Sequence, residues 1–284
     1  MKLSRSDADV FVPHEQVSPE TALARTTHLC VAAHQDDIEI MAYHGIAACL
    51  GRDDRFFSGV VVTNGSGSSR SGIYEKYTDL EMQTVRRREQ RKAAYVGDYS
   101  IQLQLAHPSA AVKDPHNADV HADLVAIFSA AKAEVVYLHQ PADKHDTHIG
   151  VLGHSLAALR SLPADQRPQR VLGCEVWRDL DWMCDEDKQV LDVGAYPNVA
   201  ASLVGVFDSQ ISGGKRYDLA TAGRRLAHAT YYTSHATDKF QGITWAMDLT
   251  PLVHNPELSL RDYTRAYIDR FREDVDAKLA KFTR

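Results

Sequence analysis

The sequence predicts an α/β protein: a Rossmann-like, mostly parallel sheet with helices on both faces, followed by a C-terminal extension. Three observations predict it. Short apolar runs recur between Thr27 and Trp177, and segments with helical apolar spacing alternate with them. That alternation implies parallel strands joined by crossover helices. The most polar clusters fall directly behind the runs, at the carboxyl ends of the strands, where such sheets present their ligands. The chain is 44% hydrophobic and 25% charged, which is ordinary for a globular protein with a full core.

Thr27–Ala33 (THLCVAA) reads as a buried first strand after a polar N-terminal lead-in. Ile38–Leu50 (IEIMAYHGIAACL) follows with apolar residues at helical spacing. Phe57–Gly65 (FSGVVVTNG) is a second strand ending in turn residues, and Asp79–Gly97 a long charged helix with Gly97 placed to end it. YSIQLQLA (Tyr99–Ala106) gives a third strand, Val120–Ala133 a third helix and Glu134–Pro141 a fourth strand. Ile149–Leu162 is a fourth helix and Gln169–Trp177 a fifth strand. From about Asp179 the pattern loosens. DVGAYPNVAASLVGVFDSQ (Asp192–Gln210) reads as short β structure, with helices over Asp218–His235 and Leu260–Phe282. The expected organisation is one domain over residues 1–284, a core at 27–177 with an extension at 178–284 packed on it.

Several classes are excluded. A net charge of −6 argues against a nucleic-acid surface, which needs a basic stripe. No apolar run approaches the roughly 18 residues of a membrane span. The polar N-terminus lacks the apolar core of a secretory signal, so the cytoplasm is the expected compartment. The four cysteines, Cys30, Cys49, Cys174 and Cys184, show no C-x-x-C spacing, which speaks against a disulfide framework or zinc ribbon.

The chemistry gathers on one predicted rim: HQDD behind the first strand, TNGSGSSR behind the second and QPADKHDTH behind the fourth. Alone, HQDD reads as a helix N-cap, since an aspartate there caps the backbone and favours the helix dipole. A second histidine source on the same rim changes that reading. An open zinc site needs three nitrogen or oxygen ligands and a vacant position. His34, Asp37 and His148 supply two imidazoles and one carboxylate, with Asp36 beside them to accept a proton from water. Zinc suits this donor set, and iron(II), cobalt or manganese could also occupy it. Arg70, in the TNGSGSSR loop, is a candidate contact to a sugar hydroxyl or an anionic group. The loop is no P-loop, lacking G-x-x-x-x-G-K-[ST], and no glycine fingerprint of a nucleotide-binding Rossmann protein follows the first strand. His139 and His154 are expected to pack, as is His44 where it does not face solvent. Trp177, Trp182 and Trp245 read as core or subunit contacts before sugar platforms.

AHQDDIE (Ala33–Glu39) resembles the A-H-P-D-D-x-E signature of the PIG-L/LmbE-like zinc-dependent de-N-acetylases, with Gln35 in place of proline. HDTH (His145–His148) falls where that family carries its H-x-x-H element. VRRREQRKAA resembles its R-x-x-E-x-x-x-A helix through Arg86, Glu89 and Ala93. The resemblance covers about Thr27 to Trp177. It implies metal ligation by His34, Asp37 and His148, a general base in Asp36, oxyanion stabilisation or amine protonation by His145, and substrate contact by Arg86. Thr147 departs from the family, which usually has an aspartate there that orients nearby groups; Asp143 or Asp146 would have to replace it.

Hydrolysis of a neutral amide needs a strong nucleophile and charge stabilisation on the carbonyl oxygen, and each role has a candidate here. The expected activity is metal-dependent removal of an N-acetyl group, and the resemblance implies a small-molecule N-acetylglucosamine-type conjugate as substrate. The alternatives are another metal-dependent amide or ester hydrolase, or a non-catalytic carbohydrate-binding protein on the same scaffold.

Overall fold

A computed structural model describes all 284 residues. In chain order the strands are β1 (Asp9–Phe11), β2 (His28–Ala32), β3 (Phe57–Thr63), β4 (Ile101–His107), β5 (Val135–His139), β6 (Arg170–Cys174), β7 (Gln189–Asp192) and β8 (Ile243–Asp248). The helices are α1 (Pro19–Ala24), α2 (Asp37–Met41), α3 (Tyr43–Cys49), α4 (Asp79–Val96), α5 (Ser109–Lys113), α6 (Ala118–Ala131), α7 (Asp146–Ser161), α8 (Pro197–Gly205), α9 (Asp208–Ile211), α10 (Tyr217–Tyr231), α11 (Thr250–His254) and α12 (Leu260–Phe282).

All eight strands form one sheet in the order β1-β4-β3-β2-β5-β6-β8-β7. The five strands read from the sequence, β4, β3, β2, β5 and β6, are mutually parallel. β2 and β3 are buried at every position, and β4 likewise, as expected for strands covered on both faces. The mostly parallel sheet with surrounding helices is therefore the predicted class. Strand order reverses between β2 and β5, so the crevice beyond their carboxyl ends is the natural ligand position. HQDD follows β2 and KHDTH follows β5, which puts both clusters at that crevice.

The edges hold what the sequence did not reveal. β1, from the polar lead-in, pairs antiparallel with β4. On the other side, β8 pairs antiparallel with β6 and β7 with β8, so residues of the C-terminal region complete the sheet itself. The expectation of β structure over Asp192–Gln210 is largely overturned. After the end of β7 the stretch forms α8 and α9, with Pro197 at the first turn of α8, where its missing N–H costs nothing. Leu203 and Val204 supply the buried side of α8.

Two further boundaries differ. The predicted helix over Ile38–Leu50 is broken at Ala42 into α2 and α3. The buried guanidinium of Arg225, from α10, donates to the carbonyls of Glu39 and Ile40 at 2.9 and 3.2 Å. An unbroken helix would give those acceptors to the N–H groups four residues on. The helix after β5 begins at Asp146, three residues before the predicted start, because His148 belongs to its first turn. Gly97 does end α4, but with a φ of −88°. A side chain there would meet the Tyr99 ring at 2.4 Å, so close approach, not a left-handed turn, requires glycine.

The core divides into two clusters, one on each face of the sheet. One gathers α1, α6, α7 and α11, the other α2, α3, α4 and α8. No helix is long and apolar enough to cross a membrane.

Candidate metal centre

The turn between β2 and α2 holds its backbone in an unusual conformation. Asp36 takes φ 90° and ψ −29°, in the left-handed region that non-glycine residues avoid. Such a conformation costs about 1–3 kcal/mol and persists only where its surroundings fix it. Here they do. The Asp36 N–H donates to Gln90 Oε1 at 3.3 Å, and Arg86 donates to the Gln35 carbonyl and, at 3.3 Å from both Nη atoms, to Asp36 Oδ2. Gln35 stands in the proline position and ties the turn down by its side chain, whose Nε2 donates to Gln104 Oε1 at 3.2 Å. Gly65, behind β3, must lack a side chain: its φ is +75°, and a Cβ would meet Gln35 Oε1 at 2.7 Å.

His34 Nδ1, Asp37 Oδ2 and His148 Nε2 form a triangle with edges of 3.3, 3.3 and 3.2 Å. These separations are long for hydrogen bonds. They match the edge of a tetrahedron built on zinc-ligand bonds of 2.0–2.1 Å, about 3.3–3.4 Å. The donor set is also right, two imidazoles and one carboxylate, with His148 fully enclosed and His34 and Asp37 reaching the cavity. The residues therefore fit a small divalent metal held by three ligands.

The orienting carboxylate is Asp143. Its Oδ2 accepts from His148 Nδ1 at 3.3 Å and from the Trp177 N–H at 3.2 Å, while Oδ1 accepts the His145 N–H at 3.2 Å. Asp146 is exposed on the outer side of α7. Thr147 is buried against the cavity, and Asp143 does from the preceding loop what an aspartate at 147 was expected to do. Such carboxylate–histidine pairs fix the tautomer that leaves the other ring nitrogen free for metal. His139 adds a second constraint. Its Nε2 accepts the Ala33 N–H at 2.9 Å, and its ring stacks on His148 with centroids 3.9 Å apart. Asp143→Asn is expected to weaken zinc binding about 10- to 100-fold with the fold intact, measured by competition with a chromogenic chelator; unchanged affinity would remove Asp143 from this role.

The electrostatics separate the two neighbouring aspartates. Burial pushes the Asp36 carboxyl above the usual range, Arg86 pulls it back and Asp37 adds to the rise. Burial would raise Asp37 too, but His148 and His34 outweigh it and hold it well below the usual range. Burial alone would lower His148; Asp37 and Asp143 reverse that and lift it to about 9. Burial lowers His145, and the neighbouring His34 and His148 lower it further. Asp37 is thus a permanent anion, while Asp36 sits where a carboxyl can exchange a proton.

A cavity of about 460 Å³ opens over this centre. His34, Asp36, Asp37, Arg86 and His145 line it, so five of the seven site residues read from the sequence meet there; His148 lies just behind, in the triangle. Arg86 is 2% exposed and spends its visible hydrogen bonds on Asp36 and Gln35. Arg70 lies off the wall, donating to Ser66 O and pairing with Asp79, while Gly65, Gly67, Ser68 and Ser69 of its loop face the space. Trp177, half-buried, packs against one core cluster, as expected, and also lines the cavity, its ring centroid 6.4 Å from that of His145. The reading also missed Lys113, Lys215, Tyr217 and Arg224. Only their encirclement of the cavity marks them out, and no spacing in the sequence carries it.

Fold and site together define a class: α/β proteins that gather two histidines and an aspartate at the switch point of a parallel sheet. Residues 29–159, a little under half of the chain, match the family described as PIG-L, GlcNAc-PI de-N-acetylase. No curated protein matches the chain in sequence. Among solved structures, the 4-carboxy-2-hydroxymuconate hydratase GalB from Pseudomonas putida KT2440 is similar at TM-score 0.60 and 19% identity, covering 80% of this chain and 97% of its own. The N,N'-diacetylchitobiose deacetylase from Pyrococcus horikoshii is similar at 0.57 and 15%, covering 78% and 83%. The A40926 pseudoaglycone deacetylase Dbv21 is similar at 0.58 and 15%, covering 79% and 97%. At these identities the likeness is one of fold.

Proposed function

We propose that this protein is a zinc-dependent N-deacetylase that removes the acetyl group from an N-acetylglucosamine-type conjugate. The observation that carries the reading is the Asp36 carboxylate, held in a strained turn beside the His34–Asp37–His148 triangle and open to the cavity. A binding protein has no use for a strained carboxylate at that point. The family match supports amide hydrolysis, and two of the three similar structures are named as deacetylases. The hydratase on the same fold is why the argument rests on the site and the family, not on the fold.

Zinc bound by His34, Asp37 and His148 supplies a Lewis-acid centre and lowers the pKa of water toward neutrality. Asp36 takes the proton of the attacking water, a role that suits a carboxyl raised by burial. Arg86 keeps Asp36 in position and keeps its ionised form accessible. His145, at the cavity wall 4.8 Å ring to ring from His34, donates a hydrogen bond to the carbonyl oxygen as charge develops there. The C–N bond breaks, the proton held on Asp36 passes to the departing amine, and acetate and a free amine result. Asp143 fixes His148 throughout. The four cysteines are free and buried, which suits work in the reducing cytoplasm.

The experiment is acetate release from a panel of N-acetylglucosamine derivatives, using protein stripped of metal and then reloaded. Release that appears only on reloading with zinc or another divalent metal is the expected result. Metal binding with no acetate from any derivative would overturn the sugar-deacetylase reading.

A further inference from the structure

Two arginines are buried beside α2, and only one of them has a counter-charge. Arg86 is paired with Asp36. Arg225, on α10 and 8% exposed, has no carboxylate partner; its one ionisable neighbour is the phenol of Tyr43, whose ring centre lies 4.8 Å from Cζ. Nη2 donates to the carbonyls of Glu39 and Ile40, Nη1 donates to no protein atom, and Nε is buried without an acceptor. Burial lowers the guanidinium pKa to about 10, which leaves it charged at neutral pH. A buried charge without a partner is costly, and two carbonyl dipoles are a weak substitute for an anion.

Arg225 also lines a second cavity, of about 410 Å³, between α8, α10 and the chain that leaves β7 and enters β8. Val193, Pro197, Ala200, Val204 and Leu226 give it an apolar wall. Its one carboxylate, Asp218, is already held by Nε and Nη2 of Arg216 at 3.0 and 2.8 Å. Thr221 alone lines both this cavity and the one over the metal centre, so α10 divides the two. Small-molecule sites have about this volume, with mostly apolar walls and a few polar groups that fix orientation. Here the orienting group is a cation in need of acceptors. The matching ligand has an anionic head and an apolar body. One negative charge balances one guanidinium, whereas a dianion would leave a second charge unmatched against an apolar wall. A carboxylate also fits the planar fork of arginine.

We propose that this second cavity binds a monocarboxylic acid with an apolar body, its carboxylate on Arg225 and its body between α8 and α10. The site is separate from the metal centre, so its ligand is not the substrate of the deacetylation, and the inference does not rest on that reading.

The test is calorimetric binding of octanoate, octanol, octylammonium and acetate to wild type, Arg225→Met and Ala222→Phe, each zinc-loaded and metal-stripped. Octanoate should bind about tenfold tighter than octanol, with acetate and octylammonium weaker than either, and metal should make no difference. Arg225→Met should abolish the preference for octanoate over octanol. Ala222 lines the cavity from an exposed position on α10, so phenylalanine there fills the space without entering the core and should weaken octanoate and octanol alike, about tenfold. Because Arg225 also holds the break between α2 and α3, the Tm of its variant is measured; if that variant does not fold, Ala222→Phe carries the test. Octanol bound as tightly as octanoate, or no octanoate bound, overturns the inference. Octanoate binding that needs zinc, or that both variants leave unchanged, belongs elsewhere on the molecule and overturns it too. So does a dimer seen by sedimentation that Ala222→Phe abolishes and octanoate does not affect, which would assign the cavity to a second copy of the chain.

Discussion

Asp36→Asn is expected to lower kcat for acetate release by about two to four orders of magnitude, with zinc affinity close to that of wild type. Asparagine keeps the shape, tolerates the left-handed backbone at this position, and can still accept from Arg86 through Oδ1. It cannot take a proton from water. The choice of asparagine matters, because Arg86 is 2% exposed. An alanine would strand that buried guanidinium without its partner, and breaking a buried pair costs about 3–5 kcal/mol. Loss of activity would then mix catalysis with folding. Acetate release measured beside a zinc titration separates the two. A variant that retains a tenth or more of the wild-type rate would show that another group takes the proton.

Asp37→Asn is expected to lower zinc affinity at least about 100-fold, more than removal of an orienting residue behind a ligand. The amide can still accept the His34 N–H that Asp37 Oδ2 takes at 2.8 Å, so the turn should survive. What disappears is the one permanent anion among the three ligands, and with it most of the attraction for a dication. The readout is thermal. A metal at a hundred times its Kd stabilises the native state by about 2.7 kcal/mol, so zinc should raise the Tm of the wild type and leave that of the variant nearly unmoved. Equal zinc-induced shifts in the two proteins would remove Asp37 from the ligand set.

Much of this site was legible because two short motifs lie at strand ends. Once β2 and β5 are recognised as adjacent parallel strands, HQDD and KHDTH must meet, whatever the remaining chain does. The same logic fails for partners that arrive from elsewhere. Asp143 was named only as one of two replacements for the missing aspartate, and the choice over Asp146 depended on where α7 begins. Arg86 read as a substrate contact because its helix could be seen but its burial against Asp36 could not. Arg70 sat in the right loop but turned to Asp79, a local pairing that composition does not reveal. Trp177 was read as a core residue and does pack against the core, but only the cavity's outline shows that it also faces the crevice.

The sequence by itself determined the alternating strands and helices, the parallel core and the two polar clusters that hold the proposed metal ligands and base. All of these are local: periodicity over ten residues and motifs over seven. Tertiary structure alone decided the antiparallel edges formed by β1, β7 and β8 and the break between α2 and α3 under Arg225. The sheet edges and the helix break join residues 51 to 186 positions apart. Nothing in a neighbouring stretch of sequence responds to such a contact, because the energy that fixes it exists only once the sheet has brought the two segments together.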